Sequence, residues 1–307
     1  MPEDYPLSCH AYARTLTGRT QVVSIDGAPW SVEDHLLEPL AMPHVQGVVD
    51  RDRLRQAMHQ TGAWVARWVD AWDTPPCEWW WMCCDDPDYD MGRLSKQVRY
   101  NIRLGLKRCR VERLEAEWFA RNGFPVYAAA VADYHTKVSC ASAEQFYQEV
   151  IQAARYPGRE TWGAFIGDKF VAYISCLVID GAAGLSWGKS DPAFHTNYPN
   201  NALIYTLTRH YLLERKYRYA TGGARVVKHP TRVQDFLTKM GYRRVYCPLR
   251  LELHAVISMG VRMGAPWLGS SSILRRVAPN LAINLVATGT LARIAQSCQT
   301  PSPADAP

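Results

Sequence analysis

The chain has 307 residues, 48% of them hydrophobic and 21% charged, with a formal net charge of +6. This length allows one large domain or two smaller ones with a substantial core, and the composition excludes disordered, collagen-like and disulfide-stapled chains. Nine cysteines without CxxC spacing, and without histidines at zinc-ligand spacing, predict reduced thiols and no metal site.

The opening Met-Pro-Glu-Asp-Tyr-Pro lacks the basic-then-apolar layout of a signal peptide. The stretch 277–292 is too short and polar to span a bilayer, so a cytoplasmic protein is expected. Residues 18–30 predict a strand with an Asp-Gly turn inside it, limited by Pro29. From Asp50 to Trp72, the spacing of Leu54, Met58, Val65, Trp68 and Trp72 predicts one amphipathic helix. The run from Trp79 to Cys84 predicts a buried strand, and the acidic segment after it a turn.

Ser95 is the expected N-cap of the next helix, SKQVRYNIRLGLKRCR. Lys96, Arg99, Arg103, Lys107 and Arg110 fall on one side of it, and Val98, Ile102 and Leu106 form a separate apolar line expected to face the core. Like charges at this spacing oppose helix formation by about 0.2–0.5 kcal/mol per pair. The stripe therefore marks either an anionic partner or a solvated basic face.

Three strands with short turns at Gly167-Asp168 and Asp180-Gly181 predict an antiparallel meander over 161–190. A loop from Asp191 to Pro199 then leads to a helix over 200–216, carrying Leu203, Leu207 and Tyr211 on one line. A short strand, 218–221, ends at Gly222-Gly223, and a helix over 231–240 is closed by Gly241. Tyr242 to Leu253 reads as the final strand. Beyond His254 no acidic residue occurs before Asp305, and 273–295 reads as an amphipathic helix interrupted by Pro279. The cationic tail has two readings: peripheral contact with the inner membrane surface, or packing on the domain or on a second copy in a homodimer.

The basic helix and the block from Trp162 to Leu253 resemble the GNAT superfamily of acyltransferases, in its FemAB-like branch. The resemblance implies an α/β (α+β) fold: a GNAT-like mixed sheet with helices on both faces, preceded by a partial or degenerate GNAT-like half. The implied domains are 1–114, 115–254 and a cationic helical tail, 255–307, with a disordered end. In that family two neighbouring parallel strands splay, and the donor's phosphates sit at the N-terminus of the following helix. Aligned on Leu203, His195 takes the place of the family's Arg or Gln, while Tyr198 and Asn200 stand where glycines are usual. Leu237 stands where many members carry a tyrosine that protonates a leaving thiolate. The implied donor is an acyl-CoA co-substrate or an aminoacyl-tRNA, whose phosphates the basic stripe would suit.

Acyl transfer needs a base, a polarised carbonyl and a protonated leaving group. Asp191, His195 and His229 are the candidate catalytic residues, each also readable as an ordinary turn or surface residue. Tyr198, Asn200, Asn201, Gly222, Gly223, Arg225 and Lys228 are the candidate donor-binding residues; Gly222-Gly223 could form a small anion nest or a simple turn. A nucleophile elbow, Walker lysine, GxGxxG and HExxH are all absent. The expected activity is transfer of an acyl or aminoacyl group to an amine or hydroxyl of a small-molecule, glycan or lipid-precursor acceptor. The alternative is a non-catalytic scaffold of the same fold, bound to a membrane surface or a protein partner.

Overall fold

The computed structural model describes residues 7–16, 18, 20–75, 77–134, 140–227, 232–255, 257–258 and 279–298. In chain order the elements are α1 (Cys9–Thr15), β1 (Gln21–Ile25), β2 (Ala28–Glu33), β3 (Leu36–Pro39), α2 (Arg51–Thr61), β4 (Val65–Val69), β5 (Trp80–Cys84), α3 (Lys96–Arg108) and β6 (Arg110–Leu114). There follow α4 (Ala116–Asn122), α5 (Phe124–Ala132), α6 (Ala143–Ala153), β7 (Arg159–Ile166), β8 (Lys169–Ile179), β9 (Ala182–Ser190), α7 (Pro199–Arg209), β10 (Ala220–Ala224), α8 (Val233–Lys239), β11 (Arg243–Tyr246), β12 (Leu249–Leu253) and α9 (Pro279–Ser297). One sheet runs β1-β2-β3-β4-β12 and the other β11-β5-β10-β9-β8-β7-β6. The chain divides into two compact units, one centred on Met82–Gly223 with Val233–Arg243, the other on Tyr12–Trp81 with the segment from Arg244 onward.

The first unit holds the predicted meander. Asp180 and Gly181 both take positive φ, 50° and 74°, which matches the twist a two-residue hairpin between β8 and β9 requires. Helices α4, α5 and α6 cover one part of this sheet, packing Phe119, Val126, Phe146 and Val150 against Leu114, Phe165 and Tyr173. Helix α7 contacts β6, β7 and β8, and α3 lies against α7. Leu203, Leu207 and Tyr211 are fully buried, as their spacing predicts, although the helix ends in a π-turn over His210–Glu214.

In the second unit the Asp26-Gly27 turn joins β1 and β2 as expected, both residues having positive φ. Pro29 does not stop the strand, which runs on to Glu33. It pairs with Ser24 next to the turn, and the ladder to β3 begins only at Trp30, so the missing Pro29 N–H is not needed there. The core of this unit is Ile25, Trp30, Leu37, Leu54, Met58 and Trp68.

Three other expectations are corrected. The helix predicted over 50–72 is only α2, capped by the Asp50 side chain on the backbone N–H of Asp52 and Arg53. Gly62, at φ 67°, ends it, and Val65 to Val69 form a strand burying Ala66 and Trp68 alternately. The final strand is broken at Cys247-Pro248 into β11 and β12, which lie in different sheets. Of the helix predicted over 273–295, the described part is α9, which begins at Pro279, where a missing N–H costs no intrahelical bond; 273–278 lie outside the described residues. Arg110 begins β6 and is not on the helix.

The apolar line of α3 is also displaced. Val98, Ile102 and Gly105 are the buried positions, while Leu106 is 39% exposed. A Cβ at Gly105 would come within 2.6 Å of the Tyr198 carbonyl oxygen and 3.3 Å of Ala202. The two helices meet backbone to backbone here, and a leucine on the seam would hold them apart. In α9, Ala287, Leu291, Ile294 and Ala295 are buried, and the helix packs on β12. Among the described residues no helix is long and apolar enough to cross a membrane.

In a free helix, Gly→Ala gains about 1 kcal/mol. Gly105→Ala is expected instead to lose about 1–2 kcal/mol, because overpacking against a backbone carbonyl outweighs that gain. Urea unfolding of the variant measures the sign directly.

Candidate functional site

The candidate site gathers where β9 ends and α7 begins. The parallel pairing of β9 with β10 covers only Ala183↔Ala220 and Gly184↔Thr221, although β9 continues to Ser190. Immediately beyond this ladder, β9 carries one extra residue between Leu185 and Trp187 relative to Ser175 and Cys176 of β8. A bulge of this kind bends its strand and ends regular pairing. The two parallel strands thus part on the side toward which α7 presents its N-terminus.

The segment after β9 is held by its own backbone. The Asp191 N–H donates to Val171 O at 2.9 Å, and its carboxylate accepts from Ala193 N at 3.0 Å, capping a 3-10 turn over Pro192–Asn197. Asp191 is therefore the turn-former its Asp-Pro sequence suggests. Tyr198 adopts φ 59° and ψ 43°, the left-handed conformation, at the N-cap of α7. Its carbonyl accepts the first helical bond, from Ala202 N at 3.2 Å.

Pro199 has no N–H to offer, and among the described residues nothing accepts from the backbone N–H of Asn200 or Asn201. These two donors stand at the positive end of the helix dipole, an arrangement that can accept an anion. Where the resemblance places glycines, this chain has one residue, Tyr198, that takes the left-handed conformation and one, Asn200, that lies in the helix and needs no such conformation.

Ser190, which sequence reasoning passed over, connects the strand to this turn. Its hydroxyl accepts from Asn200 Nδ2 at 3.1 Å and lies 2.9 Å from His195 Nε2. With one donor already received from Asn200, the Ser190 proton is available to His195. His195 is exposed, and Ser190 and Asn200 are half-buried, so the relay faces outward. Asn201 differs: its side chain turns inward to Met240 Sδ at 3.5 Å, leaving only its backbone for a ligand.

The basic helix reaches the same turn. Arg108 donates to Thr196 O at 3.0 Å, Cys109 Sγ lies 3.7 Å from Asn197 O, and Gly105 abuts Tyr198. Lys96, Arg103 and Lys107 are exposed, and none forms an ion pair among the described residues. Arg99 instead donates back to the carbonyls of Gly92 and Leu94, and Arg110 pairs with Glu112 beside the Phe165 ring. The five-residue stripe becomes three outward cations, with Arg108 added at the loop. An isolated glycine inside a helix was the available signal for this junction.

Gly222 and Gly223 turn β10 away after its short ladder. The Gly223 N–H is already bonded to Thr221 Oγ1 at 3.0 Å, and a Cβ at Gly222 would meet Leu237 Cδ1 at 2.1 Å. The expected nest is thus engaged internally, and Gly222 is there to admit Leu237, which is 2% exposed. Arg225 bonds Glu78 through its carbonyl and carboxylate. Lys228 and His229 lie outside the described residues. Two buried phenols near α8 are committed: Tyr89 donates to Met240 O at 2.7 Å, and Tyr242 shares a hydrogen bond with Thr208 at 2.7 Å. Burial pushes both well above the usual phenol range, so they stay protonated. Among the described residues no group of three or more His, Cys, Asp or Glu side chains is placed to hold a metal ion.

The sequence matches no protein-family model and no curated protein. Similarity is found among solved structures. The C-terminal domain of a candidate lysylphosphatidylglycerol synthetase from Agrobacterium fabrum is 13% identical, with a TM-score of 0.56 over 83% of this chain and 90% of that one. FemX is 11% identical, with a TM-score of 0.56 over 84% of this chain and 94% of its own. L-PGS from Bacillus licheniformis is 12% identical, with a TM-score of 0.52 over 93% and 92%. What is shared at these identities is the fold, and it bears out the GNAT-like mixed sheets with helices on both sides.

Leu237→Ala removes a side chain wedged against Gly222 and is expected to cost about 2–4 kcal/mol of stability. A calorimetric or urea melt reads this directly; a loss below about 0.5 kcal/mol would mean that Leu237 is not a core residue.

Proposed function

We propose that the chain is a transferase, carrying an acyl or aminoacyl group from an activated donor to an amine or hydroxyl of a small-molecule, glycan or lipid-precursor acceptor. The observation that carries this reading is the parting of β9 and β10 beside the two unpaired N–H groups of α7. A donor phosphate fits those N–H groups, and its acyl arm can then run between the parted strands. The exposed Lys96, Arg103 and Lys107 supply charge for further phosphates, which a coenzyme A thioester or an aminoacyl-tRNA would bring. The name of one similar structure, a candidate lysylphosphatidylglycerol synthetase, supports aminoacyl transfer to a lipid precursor as one form of this chemistry.

In the reaction the acceptor's nitrogen or oxygen attacks the donor carbonyl. The new bond forms as the donor's C–S or C–O bond breaks, and the acceptor's proton ends on the leaving group. His195 is the base in this reading, coupled to Ser190 at 2.9 Å. Leu237 offers no hydroxyl, and Tyr89 and Tyr242 have theirs engaged, so the same Ser190–His195 pair returns the proton to the leaving group. Acyl-CoA is the proposed co-substrate and no metal is required; the protein is proposed to act in the cytoplasm.

The first test is thermal stability with coenzyme A, acetyl-CoA, a long-chain acyl-CoA and charged tRNA. A donor present at about 100 times its dissociation constant adds about 2.7 kcal/mol to the native state. One of them is expected to shift the melt, tRNA with a steep loss at high salt if it is the donor. If none does, the transferase reading gives way to a non-catalytic scaffold on a membrane surface or protein partner.

With the donor identified, His195→Ala is expected to keep the thermal shift and lower kcat by about 100-fold or more. Equal loss of donor binding and rate would instead make His195 a donor contact.

A further inference from the structure

Ser190 has the geometry of a nucleophile as well as that of a proton relay. It is the last residue of β9 and pairs with Ala172 of β8. Lys189 pairs with Tyr173, which packs on the side of α4 to α6, so strand alternation turns Ser190 to the other face, toward α7. There His195 Nε2 lies 2.9 Å from Ser190 Oγ, and Asn200 Nδ2 donates to the same oxygen at 3.1 Å. Asn200 takes one of the two lone pairs of this hydroxyl. The other can attack a carbonyl while the proton leaves for the imidazole. His195 is exposed and Ser190 half-buried, so the pair is open to a small molecule from solvent.

Capture of an acyl group also needs donors for the oxyanion. The backbone N–H groups of Asn200 and Asn201 have no acceptor among the described residues, and the first belongs to the residue whose side chain holds Ser190. Backbone donors of this kind stabilise a tetrahedral intermediate. The sequence conceals the arrangement, because Gly188-Lys189-Ser190-Asp191-Pro192 lacks the second glycine of a nucleophile elbow and α7 starts only at Pro199. The 3-10 turn over Pro192–Asn197 takes up the intervening chain, and the Asn200 side chain closes the gap. Asp191 keeps its carboxylate on Ala193 N at 3.0 Å, so Ser190 and His195 work as a dyad.

We propose that Ser190 is an acyl-accepting nucleophile, and that the site hydrolyses activated carboxylic esters through an acyl–Ser190 intermediate when no acceptor is present. Ser190 Oγ bonds to the ester carbonyl carbon and its proton passes to His195 Nε2. The bond to the leaving alcohol or phenol then breaks, and His195 returns the proton to that oxygen. In the second half a water oxygen attacks the acyl carbon, its proton passes to His195, and the bond to Ser190 Oγ breaks as the serine regains a proton. One ester and one water become one acid and one alcohol. This activity uses the Ser190–His195 relay of the proposed transfer but needs neither its phosphate-bearing donor nor its acceptor.

The test uses the full-length chain carrying Cys140→Ser, which removes the exposed thiol as a competing nucleophile. Two probes are applied: p-nitrophenyl acetate, followed by nitrophenol release, and an alkyl fluorophosphonate, whose P–F bond is replaced by a stable bond to an activated serine. Peptide mapping by mass spectrometry is expected to place the phosphonate on Ser190. Adding Ser190→Ala is expected to lower nitrophenol release about 100-fold, and adding His195→Ala to lower both release and labelling about 100-fold. Melts establish that both variants are folded, and the adduct map needs neither of them. No label on Ser190, full release from folded Ser190→Ala, or full labelling of folded His195→Ala would each overturn the proposal. Neither probe resembles a coenzyme A thioester or a charged tRNA, so failure here leaves the donor melts to decide the transferase reading, and failure of those melts leaves this result intact.

Discussion

The close approach of α3 and α7 at Gly105 is the constraint on which the candidate site depends. With no side chain at that position, the Tyr198 carbonyl can lie against the α3 backbone, where a Cβ would stand 2.6 Å away. Tyr198 is the residue that takes the left-handed conformation and turns the chain into α7. Its location therefore sets the direction in which the N–H groups of Asn200 and Asn201 point. The same junction brings Arg108 onto Thr196 and places the basic end of α3 beside the α7 N-terminus. A glycine inside a helix costs about 1 kcal/mol in propensity, and what it makes possible is this positioning.

On the other side of the site, strand geometry takes the place of glycine flexibility. The extra residue in β9 comes just after its two-residue ladder with β10, so a single bulge both ends the pairing and aims Ser190 at the turn. Gly222, on β10, is occupied from behind by Leu237, which closes that side with an apolar group. A site with a leucine in this place has no phenol acid there, and the nearby buried phenols are held by Met240 and Thr208. The proton-carrying groups left at the mouth are Ser190 and His195, already hydrogen-bonded to each other. In the proposed reaction, charge and proton transfer are divided between two surfaces: α3 with the α7 N-terminus for anions, and the end of β9 for protons.

The second unit shows how sequence-distant segments are joined by sheet formation. Pro248 stops β11, and the chain resumes as β12 in register with β4, pairing Leu249 to Val69 and Leu253 to Val65. That pairing carries the segment before β5 and the end of α9 to one place, where Arg293 meets Glu78. The described part of the cationic tail is accordingly a packed helix, with Ala287, Leu291 and Ile294 buried.

The sequence by itself determined the elements whose signals are local. The meander from 161 to 190 followed from Gly and Asp at two-residue turns, the Ser95 cap from its hydroxyl one position before the helix, and α8 from Gly241 just beyond its end. The turn into α7 was legible as well, because the order of elements placed Tyr198, Asn200 and Asn201 at the start of a helix. Where two local patterns competed, the sequence could not choose: Val65 and Trp68 fit a helical spacing and a strand equally, and Gly62 with the partners β3 and β12 decided for the strand. Tertiary structure alone decided which face of α3 is buried, because the seam depends on how near α7 comes, and hydrophobicity alone would have placed Leu106 there. It alone brought Ser190 to His195 and Asn200. That cluster depends on a bulge in β9, which is set against a partner strand and leaves no period in the sequence.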